Sequence, residues 1–220
     1  AYIVGELWEL SPEFVAEDGV FDALMNYNFA FAVNDFFIAD KNRISTSEFI
    51  DRLKEIDQNY PSENLDVLQN LIGSHDTERL STMIYNPDRA FDRDANEGNK
   101  NYNPSKPNYE IYEKQKLILA FQMLYKGAPM IYQGDEIGMW GADDPHCRKP
   151  MVWSDFKYDD EIINAASGFQ KGFGKYKVEP DTSLLAYYKH LFEIRNSNPA
   201  LQKGNINFLY SNNDKFSFAF

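Results

Sequence analysis

Two short stretches combine reactive side chains with a strand that could aim them. Tyr2-Ile3-Val4-Gly5 reads as an apolar strand and delivers Glu6 at its end, with Trp8 two residues on, on the same side if the backbone stays extended. Asn70-Leu71-Ile72-Gly73 runs into Ser74-His75-Asp76-Thr77-Glu78-Arg79, so a second strand delivers His75 and Asp76. A carboxyl packed against an indole loses water, which disfavours its charged form and moves its pKa towards the range of a general acid. A second carboxylate in a wetter setting stays ionised and can stabilise positive charge developing on a substrate, and a neutral His75 can donate to a hydroxyl. Cleavage of a glycosidic bond needs that asymmetry of two carboxyl groups. The same residues have plainer uses. Ser74, Asp76 or Thr77 could cap a helix starting near Glu78, and an acid after a strand is commonly a solvated loop residue. Contiguous Ser74-His75-Asp76 is no hydrolase triad, because triad members converge from separate elements. Cys147 has no partner histidine and reads as structural, and His190 as a surface or packing residue within a helix.

The elements that must position these groups follow from periodicity. Tyr2 to Gly5, Ala23 to Tyr27, Leu68 to Gly73 and Ala128 to Tyr132 are four apolar strand candidates. Between them, Ser45 and Glu48 form a capping box ahead of a helix with Phe49, Ile50, Leu53 and Ile56 on one face, ending near Tyr60-Pro61. Leu117, Ile118, Phe121, Leu124 and Tyr125 mark another helix, closed by Gly127, and a last one opens at Thr182 and ends at Asn198-Pro199. Apolar strands separated by amphipathic helices imply an α/β fold with parallel pairing, either a doubly wound sheet or a barrel, in which catalytic groups sit at strand C-terminal ends. Ile206 to Tyr210 and Phe216 to Phe220 flank Asn212-Asn213-Asp214 and read as an antiparallel hairpin, so a separate β domain is expected from about Leu201. Tyr85 to Asn108 reads as a long solvated loop. Its Asp92-Arg93-Asp94-Ala95-Asn96 starts like a calcium loop, but Glu97 stands where glycine is required and Asn103 where a bidentate glutamate is expected.

Composition narrows the classes. Of 220 residues, 43% are hydrophobic, enough for a buried core; Lys and Arg number 22 against 34 Asp and Glu, a net charge of −12 that argues against a nucleic-acid partner or an anionic membrane surface. No run approaches the roughly 20 apolar residues of a membrane helix. One cysteine excludes an internal disulfide and slightly favours a reducing, cytoplasmic setting. Ala1 to Val4 already reads as a strand and the chain stops inside another, so it is expected to be a piece of a longer protein.

Three long motifs carry a resemblance. Ile3-Val4-Gly5-Glu6-Leu7-Trp8 resembles the general-acid strand of the α-amylase family of glycoside hydrolases, and Asn70 to Arg79 resembles that family's seventh-strand motif. Gly127-Ala128-Pro129-Met130-Ile131-Tyr132-Gln133-Gly134-Asp135-Glu136-Ile137-Gly138-Met139 resembles its eighth-strand motif. Asp143 to Trp153 then follows as in the neopullulanase, cyclomaltodextrinase and maltogenic amylase branch. The resemblance implies strands five to eight of a (β/α)8 barrel over residues 1–200, with the first strands of a C-terminal β domain over 201–220. It implies Glu6 as acid/base, Asp76 as the second, non-nucleophilic carboxylate, and His75, Trp8, Asp144 and Arg148 as substrate-binding residues, the last two gripping a glucose further from the cut. For Asp144 and Arg148 a plain loop salt bridge is the competing reading. Asp135 and Glu136 are expected to buttress the rim. The implied substrate is an α-glucan or maltooligosaccharide, with no cofactor and no metal, and a homodimer of the parent protein stays open. The family's nucleophile, an aspartate in a Gly-x-Arg-x-Asp motif, has no counterpart here, so the isolated chain is expected to be inactive. An α-glucosidase or transglycosylase of the same family, or a non-catalytic carbohydrate-binding relative, are the alternatives.

Overall fold

The four N-terminal apolar runs each yield only two residues of paired strand, shorter than their patterns imply. The computed structural model describes residues 1–220. Its strands are β1 (Val4–Gly5), β2 (Ala23–Leu24), β3 (Gln69–Asn70), β4 (Ala128–Pro129), β5 (Glu161–Ile163), β6 (Gly174–Tyr176), β7 (Tyr210–Asn212) and β8 (Ser217–Ala219). Its helices are α1 (Tyr27–Val33), α2 (Thr46–Asn59), α3 (Ser62–Leu65), α4 (Leu80–Tyr85), α5 (Tyr109–Leu124), α6 (Thr182–Ser197) and α7 (Pro199–Lys203). The chain divides into two compact units, one of Ala1–Ile72, Ala120–Met130 and Leu191–Phe220, the other of Gly73–Leu119 and Ile131–His190. No helix is long and apolar enough to cross a membrane.

The first unit is built on a parallel sheet. Val4 pairs with Ala23 and Gly5 with Leu24, Met25 bridges to Gln69, and Gln69 and Asn70 pair with Ala128 and Pro129. Two parallel two-stranded ladders, β1-β2 and β3-β4, linked by the single Met25–Gln69 bridge, follow one another in sequence order without the reversal that marks a doubly wound sheet. The sheet is open and no closed barrel is present. Buried amides tie it together: Asn26 Nδ2 donates to Asn70 Oδ1 at 2.8 Å, Asn70 Nδ2 to Lys126 O at 2.6 Å, and Gln122 Nε2 to Asn70 O at 2.7 Å. Gly127, at φ +99°, leaves room for Asn70, whose Nδ2 would lie 2.6 Å from an added Cβ. Arg195 donates to Met123 O, Tyr125 O and Gly127 O, satisfying carbonyls that the end of α5 leaves unpaired.

Ser45 caps α2 as expected, accepting from Glu48 N at 3.1 Å, while Glu48 turns to Arg52 at 2.8 Å. Helix α1 has no counterpart in the sequence reading. Its residues are apolar almost all round, with Tyr27, Phe29, Ala30, Ala32 and Val33 buried, so no 3.6-residue stripe marks it. Asn26 caps it, accepting from Phe29 N, and the expected strand to Tyr27 stops at Leu24. The C-terminal hairpin forms, shorter than its pattern, with Ser211 opposite Phe218. Residues 201–220 fall within this first unit. Phe218 packs 5.5 Å from Phe49 and 5.8 Å from Phe36, and Thr46 Oγ1 donates to Asn212 O at 3.0 Å.

The second unit is mostly loop, held by buried charge. Glu78 is 1% exposed and accepts from Arg89 and from Tyr102 Oη. Burial pushes the Glu78 carboxyl up, against the pull of Arg89. Arg79, also fully buried, meets Asp135 at 3.3 Å, donates to Gln133 O at 2.8 Å and lies over the Tyr132 ring. The segment after α4 is more than the solvated loop its composition implies: Phe91, Ala95 and Tyr102 are buried, the last two clustered with Ala142 and Phe169. An antiparallel pair, β5 with β6, joins Ile163 to Gly174.

Candidate active site

In the first unit, Glu6 follows β1 directly and is exposed, so the burial against an indole inferred from the sequence is not found. Trp8 lies in a bend and turns to Tyr27, its ring stacked at 4.1 Å and 13°. Tyr27 Oη in turn donates to Glu6 Oε1 at 2.6 Å. Tyr27 therefore links Glu6 and Trp8, and the sequence reading missed it by placing it in a strand. The signal that would have found it is Asn26, an N-cap residue followed by an apolar run. Capping sets Tyr27 at the first position of α1, beside the end of β2, which pairs with the strand that carries Glu6.

In the second unit, four expected residues converge. His75 and Asp76 lie in the turn beyond β3, where Ser74 N donates to Thr77 Oγ1 at 2.9 Å and Asp76 N to Ser74 Oγ at 3.1 Å. The side chains of this turn cap the turn itself. Helix α4 starts at Leu80 with no side-chain cap, and the capping role open to Asp76 is not used. Arg148 Nη2 donates to Asp76 Oδ1 at 2.7 Å, Arg148 Nε donates to His75 O at 2.9 Å, and Arg148 Nε lies 3.0 Å from Asp144 Oδ1. His75 Nε2 lies 3.3 Å from Asp76 Oδ2. With 45% and 39% of their side chains exposed, Arg148 and Asp76 form a pair worth below about 1 kcal/mol. Such a pair can be displaced by a ligand that offers hydroxyl donors to the carboxylate and acceptors to the guanidinium. The salt-bridge reading of Asp144 and Arg148 is thus present as geometry, and it includes Asp76.

The surrounding groups hold rather than react. Cys147 is buried, its Sγ donates to His75 O at 3.2 Å, and burial beside Asp143 and Asp144 pushes its thiol up to about 11. Burial pushes Asp135 up to about 7 against the opposing pull of Arg79, and Glu136 Oε2 accepts from Gly134 N at 2.7 Å. Both acids thus brace the loop after β4. Asp92, in the calcium-like stretch, is likewise raised to about 7, by burial and then by Asp143 and Glu78.

Parallel strands in sequential order, with an acid following one and a His-Asp pair following another in the chain, are the pattern of a β/α scaffold that carries polar groups on the loops after its strands. Comparison with known proteins is specific. The family profile described as alpha amylase, catalytic domain, matches residues 1–204. A cyclomaltodextrinase of Geobacillus thermopakistaniensis is 34% identical over 213 residues, covering 97% of this chain and 28% of that protein. Neopullulanase 2 of Thermoactinomyces vulgaris is 30% identical over 220 residues, covering 100% of this chain and 29% of its own. A solved cyclomaltodextrinase structure superposes with a TM-score of 0.68 at 32% identity, over 97% of this chain and 28% of that one. The chain belongs to the α-amylase catalytic-domain family of glycoside hydrolases. Its relatives include the branch that its motifs resemble, and it spans less than a third of the length of these relatives.

Proposed function

We propose that this chain supplies strands five to eight, and with them the acid/base, of a (β/α)8 barrel in an enzyme that hydrolyses α-glucosidic bonds of cyclodextrins or starch-derived oligosaccharides with retention. Residues 201–220 begin its C-terminal β domain. The observation that carries the reading is the web of His75, Asp76, Asp144 and Arg148, all within 2.7–3.3 Å links. It places a carboxylate, an imidazole and a guanidinium, a donor and acceptor set suited to sugar hydroxyls, on loops beyond β3 and β4.

Glu6 protonates the leaving glycosidic oxygen, with Tyr27 Oη fixing Oε1 and leaving Oε2 for the proton. The Asp76 carboxylate stabilises the oxocarbenium-like transition state, while His75 holds hydroxyls of the ring being cleaved. Trp8 walls the leaving-group side, and Asp144 with Arg148 grips a more distant glucose. The nucleophile that forms the glycosyl ester comes from the remainder of the full-length protein, since no Gly-x-Arg-x-Asp motif occurs here. Glu6 then takes a proton from the water that hydrolyses the ester. The 220-residue chain by itself should cleave nothing. In the full-length protein, Glu6→Gln should lower turnover of maltoheptaose by about 10²–10⁴-fold while calorimetric binding of the sugar persists. Turnover near the parent level would end the assignment.

A further inference from the structure

Resting on that reading of Asp144 and Arg148, we propose that His146 and Glu97 are positioning residues, forming a clamp that holds the loop carrying the two sugar-gripping side chains. His146 stands midway between them, two residues from each, in a single 3-10 turn that spans His146 to Arg148. Its ring Nε2 lies 2.7 Å from Glu97 Oε1, so a residue of the long segment after α4 reaches across 49 positions to this loop. The hydrogen bond from His146 holds Glu97 below the usual carboxylate range.

The His146–Glu97 contact does not stand alone. The His146 ring meets Phe169 edge-on at 5.2 Å, and Phe169 is 4% exposed within the cluster of Ala95, Tyr102 and Ala142. Asp143 N donates to Ala95 O at 3.0 Å, tying the start of the loop to the same segment as Glu97. Glu97 also lies against Gly168, where an added Cβ would come 2.8 Å from its Cγ and where φ is +82°. Three segments, around Glu97, His146 and Phe169, therefore meet at one point.

The opposite end of the loop is tethered differently. Buried Cys147 and exposed Arg148 both donate to His75 O, and Arg148 reaches Asp76. Of those tethers, the Arg148–Asp76 contact is the one that a sugar competes for, because Arg148 must release Asp76 to engage a substrate. The His146–Glu97 pair involves no group assigned to the sugar, so it can keep the loop in register while Arg148 exchanges partners. A surface polar contact without this role would add a little stability and leave substrate affinity alone.

The test uses the full-length protein with maltoheptaose. His146→Ala and Glu97→Gln should each raise KM by about threefold to fivefold, the size of one partly exposed contact, with kcat within about twofold. The double variant should be no worse than either single one, and His146→Gln, which keeps an amide donor, should recover part of the loss. Independent KM changes that multiply in the double variant, or an unchanged KM in both single variants, would overturn the clamp. Hydrogen exchange reads the loop without activity: the amides of Asp143, Asp144 and residues 146–148 should exchange faster in His146→Ala, with the rest of the protein unchanged. Unaltered exchange there overturns the clamp whatever the kinetics. Arg148→Ala separates the two levels, because a normal KM in that variant would instead remove the sugar-gripping role on which the clamp depends.

Discussion

The two units hold their reactive residues in opposite ways. In the first, Glu6 sits one residue beyond a paired strand, and a single neutral hydroxyl, Tyr27 Oη, fixes it from a capped and buried helix. Register and capping do the positioning, over a core of aromatic rings such as Phe29 and Phe121, stacked at 5.7 Å. In the second, His75, Asp76, Asp144 and Arg148 sit on irregular backbone, and charge does the positioning. Exposed pairs link them, while Glu78, Arg79 and Asp135 of the same unit are buried polar groups, with Arg89 partly buried against Glu78. Regular structure can aim a side chain with one contact, because its backbone is already determined by the ladder. A loop has no ladder, so its side chains must be held by long-range polar contacts, each of which carries a desolvation cost.

That contrast can be broken by substitution. The largest effect expected is on chemistry: Asp76→Asn in the full-length protein should lower kcat by about 10²–10³-fold, as loss of a preorganised charge does. An unchanged rate would make the charge web of the second unit purely structural. Next is stability. Arg89→Ala strands the buried Glu78 carboxylate and should cost about 3–5 kcal/mol in urea unfolding, whereas Asn70→Ala in the first unit should cost about 1–3 kcal/mol. A reversed order would mean that the amide network, not the buried charge, is the more demanding device.

A smaller change tests the acid. Tyr27→Phe removes one hydrogen bond, worth about 1.5–3 kcal/mol to a charged partner, and should lower kcat by about tenfold with KM little changed. A loss as large as that of Glu6→Gln would show that the acid depends on more than orientation. The smallest effect concerns pH. Burial, with Asp143 and Glu78 nearby, raises the Asp92 carboxyl from its ordinary 3.8 to about 7, so folding takes up a proton between those limits. Stability contributed by this carboxyl is therefore present below pH 4 and is lost as pH rises from there through about 7. Asp92→Asn should lessen that slope, leaving the variant comparatively more stable at pH 8 than at pH 5 in thermal unfolding. A parallel shift of the whole profile would assign the effect to packing.

Much of this was legible in the residues. Helix α2 shows its cap and its face, α6 begins at Thr182 as its spacing requires, and the terminal hairpin appears where alternation places it. The family was legible too, because long motifs such as Asn70 to Arg79 are local in sequence. What stayed hidden were features with no local signature. Helix α1 is buried all round and so lacks a stripe, and Glu78, Arg79 and Tyr102 look like ordinary polar loop residues until their burial is known.

The sequence by itself determined the four N-terminal strands, helices α2, α5 and α6, the terminal hairpin, the family, and the residue types Glu6, His75 and Asp76 beyond strands, since each depends on periodicity or on contiguous motifs. Only the tertiary structure decided that Tyr27 attends Glu6 across 21 positions, that Arg148 reaches Asp76 across 72, and that His146 meets Glu97 across 49. The physical reason is that such pairs are chosen by where loops come together and by which charges lose their water. Neither is written in any short stretch of chain.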